Sequence, residues 1–178
     1  MAHKFDPDKH HRRSIRLQGY DYSQAGAYFV TVVAHQRECL FGDVVGGGVV
    51  LNEFGRVVAN TWEWLENQYS YVALETWVVM PNHFHGILLI QDDGRGGSRT
   101  APTPMKRKPL GRLIGAFKTV STKQINLLRD TPGIPIWQRN YYEHVIRNDD
   151  DLNRIHRYIE SNPSMWADDD ENPSNLPV

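Results

Sequence analysis

The sequence has little cysteine, no long apolar run and almost no net charge, and each of the first two shortages excludes a class of protein. Cys39 is the only cysteine among 178 residues, which excludes an intrachain disulfide and any cysteine-rich zinc motif. No stretch approaches the roughly 18 consecutive apolar residues of a membrane span, and no apolar signal core follows Met1. We therefore expect a cytoplasmic protein with no membrane partner.

The net charge of −1 conceals an uneven distribution of charged residues. Residues 95–130 contain nine lysines or arginines and one acid, Asp130, whereas the segment after Pro163 contains four consecutive acids at 168–171 and no base. A basic face on a nearly neutral protein is the electrostatic signature of a polyanionic partner. An ordinary mixed and solvated surface would give the same counts, so composition leaves both interpretations open.

Composition also indicates one domain with a polar segment at each end and one within it. Residues 1–19 are basic, lack periodicity and are predicted to form a flexible arm. Residues 20–166 have the length and apolar content of a single domain. Within it, residues 92–108 are rich in glycine, serine, threonine, proline and bases, which predicts a mobile loop. Residues 167–178 are predicted to be an acidic tail.

Hydrophobic periodicity, turn residues and helix caps divide the domain into strands and helices. In chain order the predicted elements are a strand over 27–35, a peripheral hairpin over 41–51, a helix from the cap Asn52 to about 68, strands over 71–80 and 83–91, a helix starting at Pro109, a strand over 136–146 and a helix from the cap Asn148 to Pro163. This order predicts an α+β fold of the ferredoxin-like, split βαβ type with an antiparallel sheet, plus a C-terminal helix.

The stretch over 78–90 contains two apolar runs around the turn dipeptide Pro81-Asn82. Side chains alternate along a strand, so His83 and His85 are predicted on one face and Phe84 on the other. Two adjacent imidazoles on an apolar strand form a ready pair of metal ligands. Two buried histidines satisfied by hydrogen bonds would show the same spacing, so the pair alone does not decide.

The last helix carries a second group of chemical interest. Arg154, Tyr158 and Asn162 are spaced i, i+4 and i+8, which places them near one face of the helix. A phenol, a guanidinium and an amide brought to a pair of histidines would suit phosphoryl transfer, with the tyrosine as nucleophile. An ordinary amphipathic helix with a half-buried tyrosine is the alternative.

These motifs together resemble a known family. His83-Phe84-His85, after Met80-Pro81-Asn82, resembles the His-hydrophobic-His motif of single-tyrosine HUH transposases, and Tyr-Ile-Glu-Ser-Asn-Pro at 158–163 resembles their tyrosine helix. Tyr-Phe-Val-Thr at 28–31 and the motifs within 137–147 are similar to those of REP-associated tyrosine transposases in particular. The resemblance extends from about residue 16 to residue 166.

The resemblance implies a transposase, that is, a metal-dependent endonuclease and strand transferase acting on single-stranded, hairpin or repeat DNA. His83 and His85 would hold Mg²⁺ or Mn²⁺, and Asn162 would supply a third ligand. Tyr158 would attack the scissile phosphate and form a 5′-phosphotyrosine. The same family includes enzymes that act as a monomer and relatives that act as a homodimer, so both states stay open.

Two other functions remain compatible with the sequence. One is a catalytically silent module that binds single-stranded DNA or RNA on the same fold, and the other is a metal hydrolase that uses water in place of Tyr158. The metal also presents a conflict, because two imidazoles and an amide suit zinc or manganese better than magnesium.

A few more residues are predicted to contact DNA or to support the site. On the helix after Pro109, a stripe with helical periodicity includes Arg112, Thr119 and Lys123, and a phosphate backbone could approach it, although simple solvent exposure explains it nearly as well. Arg154 is the fourth predicted DNA contact. Glu143 and His144 are predicted to support the metal ligands or to carry a proton, with a structural role at the strand end as the alternative.

Overall fold

The computed structural model describes residues 19–92 and 107–175. The predicted flexible arm, apart from Gly19, and the predicted mobile loop, apart from its two ends, lie outside these ranges. Residues 176–178 of the predicted acidic tail lie outside them as well. Within the described ranges, no helix is long and apolar enough to cross a membrane.

The described residues form six strands and three α-helices. Their bounds are β1 Gly26–Val33, β2 Gly42–Val45, β3 Gly48–Leu51, α1 Glu53–Gln68, β4 Val72–Val79, β5 His83–Ile90, α2 Leu110–Leu128, β6 Tyr142–Ile146 and α3 Asp149–Ser161. Short 3₁₀ segments span His35–Arg37, Asn162–Asp168 and Pro173–Asn175.

Four strands form one antiparallel sheet in the order β4-β5-β1-β6. This is the order of the ferredoxin-like split βαβ fold, so the predicted α+β class is confirmed. The strands β2 and β3 form a separate hairpin, and its turn uses Gly46 and Gly47 with positive φ, a conformation that glycine adopts readily. Because β5 pairs on both sides, the histidine pair lies on an interior strand, as predicted.

Helix caps follow the sequence closely. The side chains of Asn52 and Asn148 cap α1 and α3, and each accepts a hydrogen bond from the backbone N–H three residues on. Pro109 precedes α2 as its N-cap instead of being its first helical residue. The α3 helix ends at Ser161, close to the predicted end at Pro163, but the predicted reason is wrong. Asn162, the residue before the proline, keeps helical φ and ψ, and the chain continues as a 3₁₀ segment over Asn162–Asp168.

The predicted strand over 136–146 is too long. Only Tyr142–Ile146 pairs with β1, while Trp137 forms an isolated bridge with Ala34. Between these two points, the backbone carbonyls of residues 138–140 accept hydrogen bonds from the Lys118 ammonium at 2.5, 3.1 and 3.4 Å. A side chain of α2 satisfies these carbonyls, so the backbone there does not need a strand partner.

The two faces of the sheet are unlike. Helices α1 and α2 cover one face, where Phe84 packs against Trp62 and Phe117 in a large buried cluster. Helix α3 covers part of the other face through a small cluster of buried residues, Phe29, Ile87, Ile155 and Ile159. His83 and His85 belong to this second face, opposite to Phe84, as the alternation of side chains predicts.

Gly86 on β5 lies where an added side chain would meet rigid aromatic rings. A Cβ there would lie 2.8 Å from ring atoms of Phe84 and 2.9 Å from a ring atom of Trp62. We expect Gly86→Ala to lower the free energy of unfolding by about 1–3 kcal/mol, measured by urea denaturation, because the packed core must shift. Gly115→Ala on α2, where nothing lies within 4 Å of the added Cβ, is the matched control. Equal stability of both variants would contradict this account.

Candidate active site

His83 and His85 lie side by side on β5, with ring centroids 4.5 Å apart. Both side chains are buried. Burial lowers the pKa of His83 and lowers the pKa of His85 well below its usual value, and a charge on His83 lowers the latter further. Both imidazoles are therefore neutral near pH 7, which is the form that binds a metal ion.

Hydrogen bonds orient the two rings. The Nδ1 atom of His83 is 2.9 Å from Asn82 Oδ1, which accepts its hydrogen and leaves a lone pair on Nε2. The Nδ1 atom of His85 is 2.8 Å from Thr31 Oγ1, and its Nε2 is 3.3 Å from Tyr158 Oη. The Nε2 atom of His83 is buried without a hydrogen-bond partner in the described residues. An unpaired buried nitrogen of this kind destabilises the fold unless a ligand engages it.

Asn82 connects His83 to two distant parts of the chain. Its Nδ2 donates to the backbone carbonyls of Arg37 at 3.0 Å and Glu171 at 2.7 Å. Two carbonyl acceptors identify that atom as the amide nitrogen, so the oxygen is the atom beside His83. The buried turn residue therefore sets the tautomer of His83 and holds the segment around Glu171 against it.

The segment predicted to be an acidic tail folds back onto the histidines. Asp169 Oδ2 lies 3.9 Å from His83 Nε2. The ligand atoms of His83, His85 and Asp169 all lie within 4.8 Å of one another, so these residues could hold a metal ion. Asp169 Oδ1 accepts from the backbone N–H of Glu171 at 2.7 Å, and Arg37 forms an ion pair with the Glu171 carboxylate at 2.7 Å. Sequence analysis missed Asp169, and the four consecutive acids at 168–171 were the one available signal.

Asn162, the predicted third ligand, lies beside Asp169. Its Nδ2 donates to Asp169 Oδ2 at 3.2 Å, while its Oδ1 is buried without a hydrogen-bond partner in the described residues. The cluster thus offers an unpaired imidazole nitrogen, an unpaired amide oxygen and a carboxylate, a donor set that fits a divalent metal. The carboxylate of Asp169 supplies a charged oxygen ligand that the predicted set of two imidazoles and an amide lacked.

Asn82 gives a direct test of how the site is held together. We expect Asn82→Ala to weaken Mn²⁺ binding by about 10- to 100-fold in calorimetric titration, because a ligand-orienting partner has this effect in metal sites. Asn82→Asp keeps an oxygen beside His83 but removes the two amide donors, so it separates ring orientation from anchoring of Glu171. Asn67→Ala, an exposed asparagine on α1, is the matched control. Unchanged Mn²⁺ affinity in Asn82→Ala would contradict this role.

Tyr158 lies beside the cluster, on α3. Its hydroxyl is 3.3 Å from His85 Nε2, and its ring stands edge-on to Phe29 with centroids 6.0 Å apart. Burial, followed by the charges of Asp169 and Asp170, raises the pKa of the phenol above its usual value. The phenol is therefore protonated at neutral pH and donates its hydrogen to His85.

An open cleft of about 780 Å³ is lined by His85, Tyr158 and Asp169. Arg154, Tyr158 and Asn162 all line it, as their i, i+4, i+8 spacing predicts. The acids at 168–171 line the same cleft. Its size falls within the range of roughly 300 to 1,000 Å³ that is usual for ligand sites.

Strand β6 forms another wall of the cleft. Tyr142 and His144 line it, whereas Glu143 is buried on the opposite face of the sheet, so Glu143 is not among the lining residues. His144 Nε2 is 2.6 Å from one carboxylate oxygen of Asp151, and the other oxygen of Asp151 pairs with Arg154. His144 therefore lies at the cleft, but its partner is Asp151, which lies outside the metal-ligand cluster formed by His83, His85, Asp169 and Asn162.

Comparison with known proteins shows the family and the fold of the chain. A Haemophilus influenzae protein described as uncharacterized is 35% identical over 177 residues, which are 95% of this chain and 97% of that protein. The chain belongs to the family of this protein. No known family model matches the chain.

A solved structure, a REP-associated tyrosine transposase bound to a REP hairpin, covers 87% of this chain and 74% of its own chain, with a TM-score of 0.59 and 20% identity. The chain has the fold of a REP-associated tyrosine transposase. A Deinococcus radiodurans structure, provisionally described as a transposase, covers 83% of this chain and 96% of its own at a TM-score of 0.46 and 16% identity, which is too distant to inform the site.

In this transposase fold, the predicted DNA contacts separate into two groups. Arg154 lines the cleft beside Tyr158. Arg112, Thr119 and Lys123 lie on α2, which packs against α1 on the other face of the sheet, and none of them lines the cleft. Their contact with DNA stays a prediction, and it concerns a surface separate from the metal-ligand cluster.

Proposed function

We propose that the protein is a metal-dependent single-stranded DNA endonuclease and strand transferase that acts through a 5′-phosphotyrosine at Tyr158. The observation that carries the proposal is the position of the Tyr158 hydroxyl, 3.3 Å from His85 Nε2 in the same chain and beside residues that could hold a metal ion. Transesterification at phosphorus needs a nucleophile and an electrophilic centre in one cleft. The transposase of the same fold was solved with a REP hairpin, which supports hairpin DNA as the substrate to test.

The metal-ligand cluster would bind Mg²⁺ or Mn²⁺. A bound divalent ion supplies positive charge that polarises a phosphate oxygen and stabilises the charge developing at phosphorus. Asn82 and Thr31 hold the two imidazoles through Nδ1, so Nε2 is the atom of each ring that would bind the ion, with the Tyr158 hydroxyl leaving His85 Nε2 when it does. The proposed ligands are His83, His85, Asp169 and Asn162.

Tyr158 is the proposed nucleophile. Its oxygen forms a bond to the scissile phosphorus while the bond from phosphorus to the preceding 3′-oxygen breaks, and the proton lost by the phenol is balanced by the one gained at the 3′-oxygen. The products are a 5′-phosphotyrosine and a free 3′-hydroxyl. One phosphodiester replaces another, so the step needs no nucleotide hydrolysis, and its reversal joins a 3′-hydroxyl to the strand.

The arrangement supports action as a monomer. Tyr158 reaches His85 within one chain, because α3 packs on the sheet face that carries the histidines. A homodimer that exchanges tyrosines between subunits would require α3 to leave this position.

The experiment is incubation of the full chain with end-labelled hairpin DNA and Mn²⁺ or Mg²⁺, followed by a denaturing gel and peptide mass spectrometry. We expect DNA linked to the peptide containing Tyr158, a fragment with a 3′-hydroxyl, and neither product in EDTA. Cleavage without protein-linked DNA would identify a metal hydrolase. Hairpin binding without cleavage under any metal would identify a catalytically silent binding module. Either of the last two results overturns the proposal.

A further inference from the structure

The cleft has walls of opposite character. The acids at 168–171 and His85 form one side, where the group that could hold a cation lies. Tyr142 and His144 from β6 and Arg154 from α3 form the other side. Among the described residues that line the cleft, Arg154 is the only lysine or arginine. A polyanionic nucleic-acid strand that extends away from the acidic side would therefore meet Arg154, the one permanently charged cation among these lining residues.

Arg154 is held in position but retains most of its hydrogen-bonding capacity. One oxygen of Asp151 accepts from its guanidinium, and the other oxygen contacts His144. The hydrogen bond from His144 lowers the pKa of Asp151, and the Arg154 bond lowers it further, so this anchor stays charged. A guanidinium has five N–H donors, of which Asp151 takes one, and the Arg154 side chain is 65% exposed. The remaining donors can bind a phosphate in the bidentate manner.

Tyr142 lines the same cleft as Arg154 and exposes an aromatic ring there. The residue is 48% exposed, and its ring stands edge-on to buried Phe29 with centroids 6.2 Å apart. Phe29 in turn stacks on His85 at 5.6 Å and meets Tyr158 edge-on at 6.0 Å. The exposed ring is thus separated from the nucleophile by one buried ring. Exposed aromatic rings are the surfaces on which single-stranded nucleic acids stack their bases.

We propose that this wall is a nucleotide subsite of single-stranded DNA, in which Tyr142 stacks a base close to the scissile phosphate and Arg154 binds a backbone phosphate. The inference rests on the proposed function for the identity of its occupant, and it adds where the flanking strand lies. His144 and Asp151 are positioning residues, because they hold Arg154 in the cleft wall.

Binding can be measured without cleavage by using the full chain with Tyr158→Phe in EDTA and fluorescence anisotropy of labelled single-stranded DNA. We expect Tyr142→Ala to weaken binding about ten-fold and Tyr142→Phe to retain it, because the ring and not the hydroxyl stacks. We expect Arg154→Ala to weaken binding and to reduce the slope of log affinity against log salt by about 0.7. Arg157→Ala, an exposed arginine on α3 outside the cleft, is the matched control.

Modified DNA identifies the contacts themselves. One oligonucleotide series carries a single abasic position, and another carries a single neutral methylphosphonate. One abasic position should weaken binding when Tyr142 is present and cause no further loss in Tyr142→Ala. One methylphosphonate position should likewise weaken binding when Arg154 is present and cause no further loss in Arg154→Ala. Additive losses at every position would overturn the subsite.

The outcome separates this inference from the proposed function. If the protein forms the Tyr158 adduct while Tyr142→Ala and Arg154→Ala bind DNA like Arg157→Ala, the subsite is wrong and the function stands. If the coupled losses appear but no adduct forms with any metal, the subsite stands and the transposase proposal fails.

Discussion

Replacing His83 with alanine is expected to lower Mn²⁺ affinity by at least about 100-fold and to abolish DNA cleavage. Loss of a residue that only orients a metal ligand weakens binding by about 10- to 100-fold, so loss of a ligand should exceed that range. The His83 ring is fully buried and its Nε2 has no hydrogen-bond partner in the described residues, so the substitution removes a nitrogen that is available to the ion. Calorimetric titration with Mn²⁺ and the adduct assay measure the two losses.

The control is His35→Ala, which removes an imidazole outside the metal-ligand cluster. Asp169→Ala and Asn162→Ala belong in the same titration, because they rank the carboxylate and the amide as ligands. We expect the larger loss for Asp169, since a carboxylate is the stronger ligand of a hard cation. Unaltered Mn²⁺ affinity in His83→Ala would show that the ion binds elsewhere.

Tyr158→Phe is expected to slow cleavage by at least about 1,000-fold, because it removes the oxygen that bonds to phosphorus. Hairpin binding should persist, since the ring and its packing against Phe29 remain. Mn²⁺ affinity should not fall, because the phenol and a metal ion compete for His85 Nε2 and the variant removes one competitor. Quenched-flow cleavage and calorimetry measure these three quantities.

Tyr69→Phe is the matched control, a hydroxyl deletion at a tyrosine that does not line the cleft. Cleavage that continues at the original rate in Tyr158→Phe would mean that water or another residue is the nucleophile. Parallel loss of cleavage and of hairpin affinity would mean that the substitution disturbs the cleft as a whole.

The sequence predicted the parts of this fold that depend on local rules. Alternation along β5 placed Phe84 opposite the histidines, and the caps Asn52 and Asn148 marked the starts of two helices. The strand before Tyr142 was predicted too long because the contact that ends it comes from Lys118, which lies at least 20 residues away in the chain. Periodicity carries no information about such a long-range hydrogen bond.

The candidate site was predictable in part. The spacing of Arg154, Tyr158 and Asn162 was sufficient to place them along one side of α3 and its C-cap, where all three line the cleft. Asp169 was not predictable, because its position depends on the 3₁₀ turns after α3 and on the hydrogen bond from Asn162, neither of which has a periodic pattern. Glu143 and His144 are neighbours on a strand and must face opposite ways, so only one of them could reach the cleft.

The unequal faces of the sheet have a consequence for how such a protein can evolve. The large buried cluster lies between the sheet and the helices α1 and α2, whereas the cleft face has a small one. Apolar burial is the dominant favourable contribution to folding, so most of the folding free energy originates on the side away from the cleft. Exposed residues of the cleft such as Tyr142 and Arg154 can therefore diverge among descendants with little effect on folding, and selection can alter what the cleft binds while the scaffold stays constant.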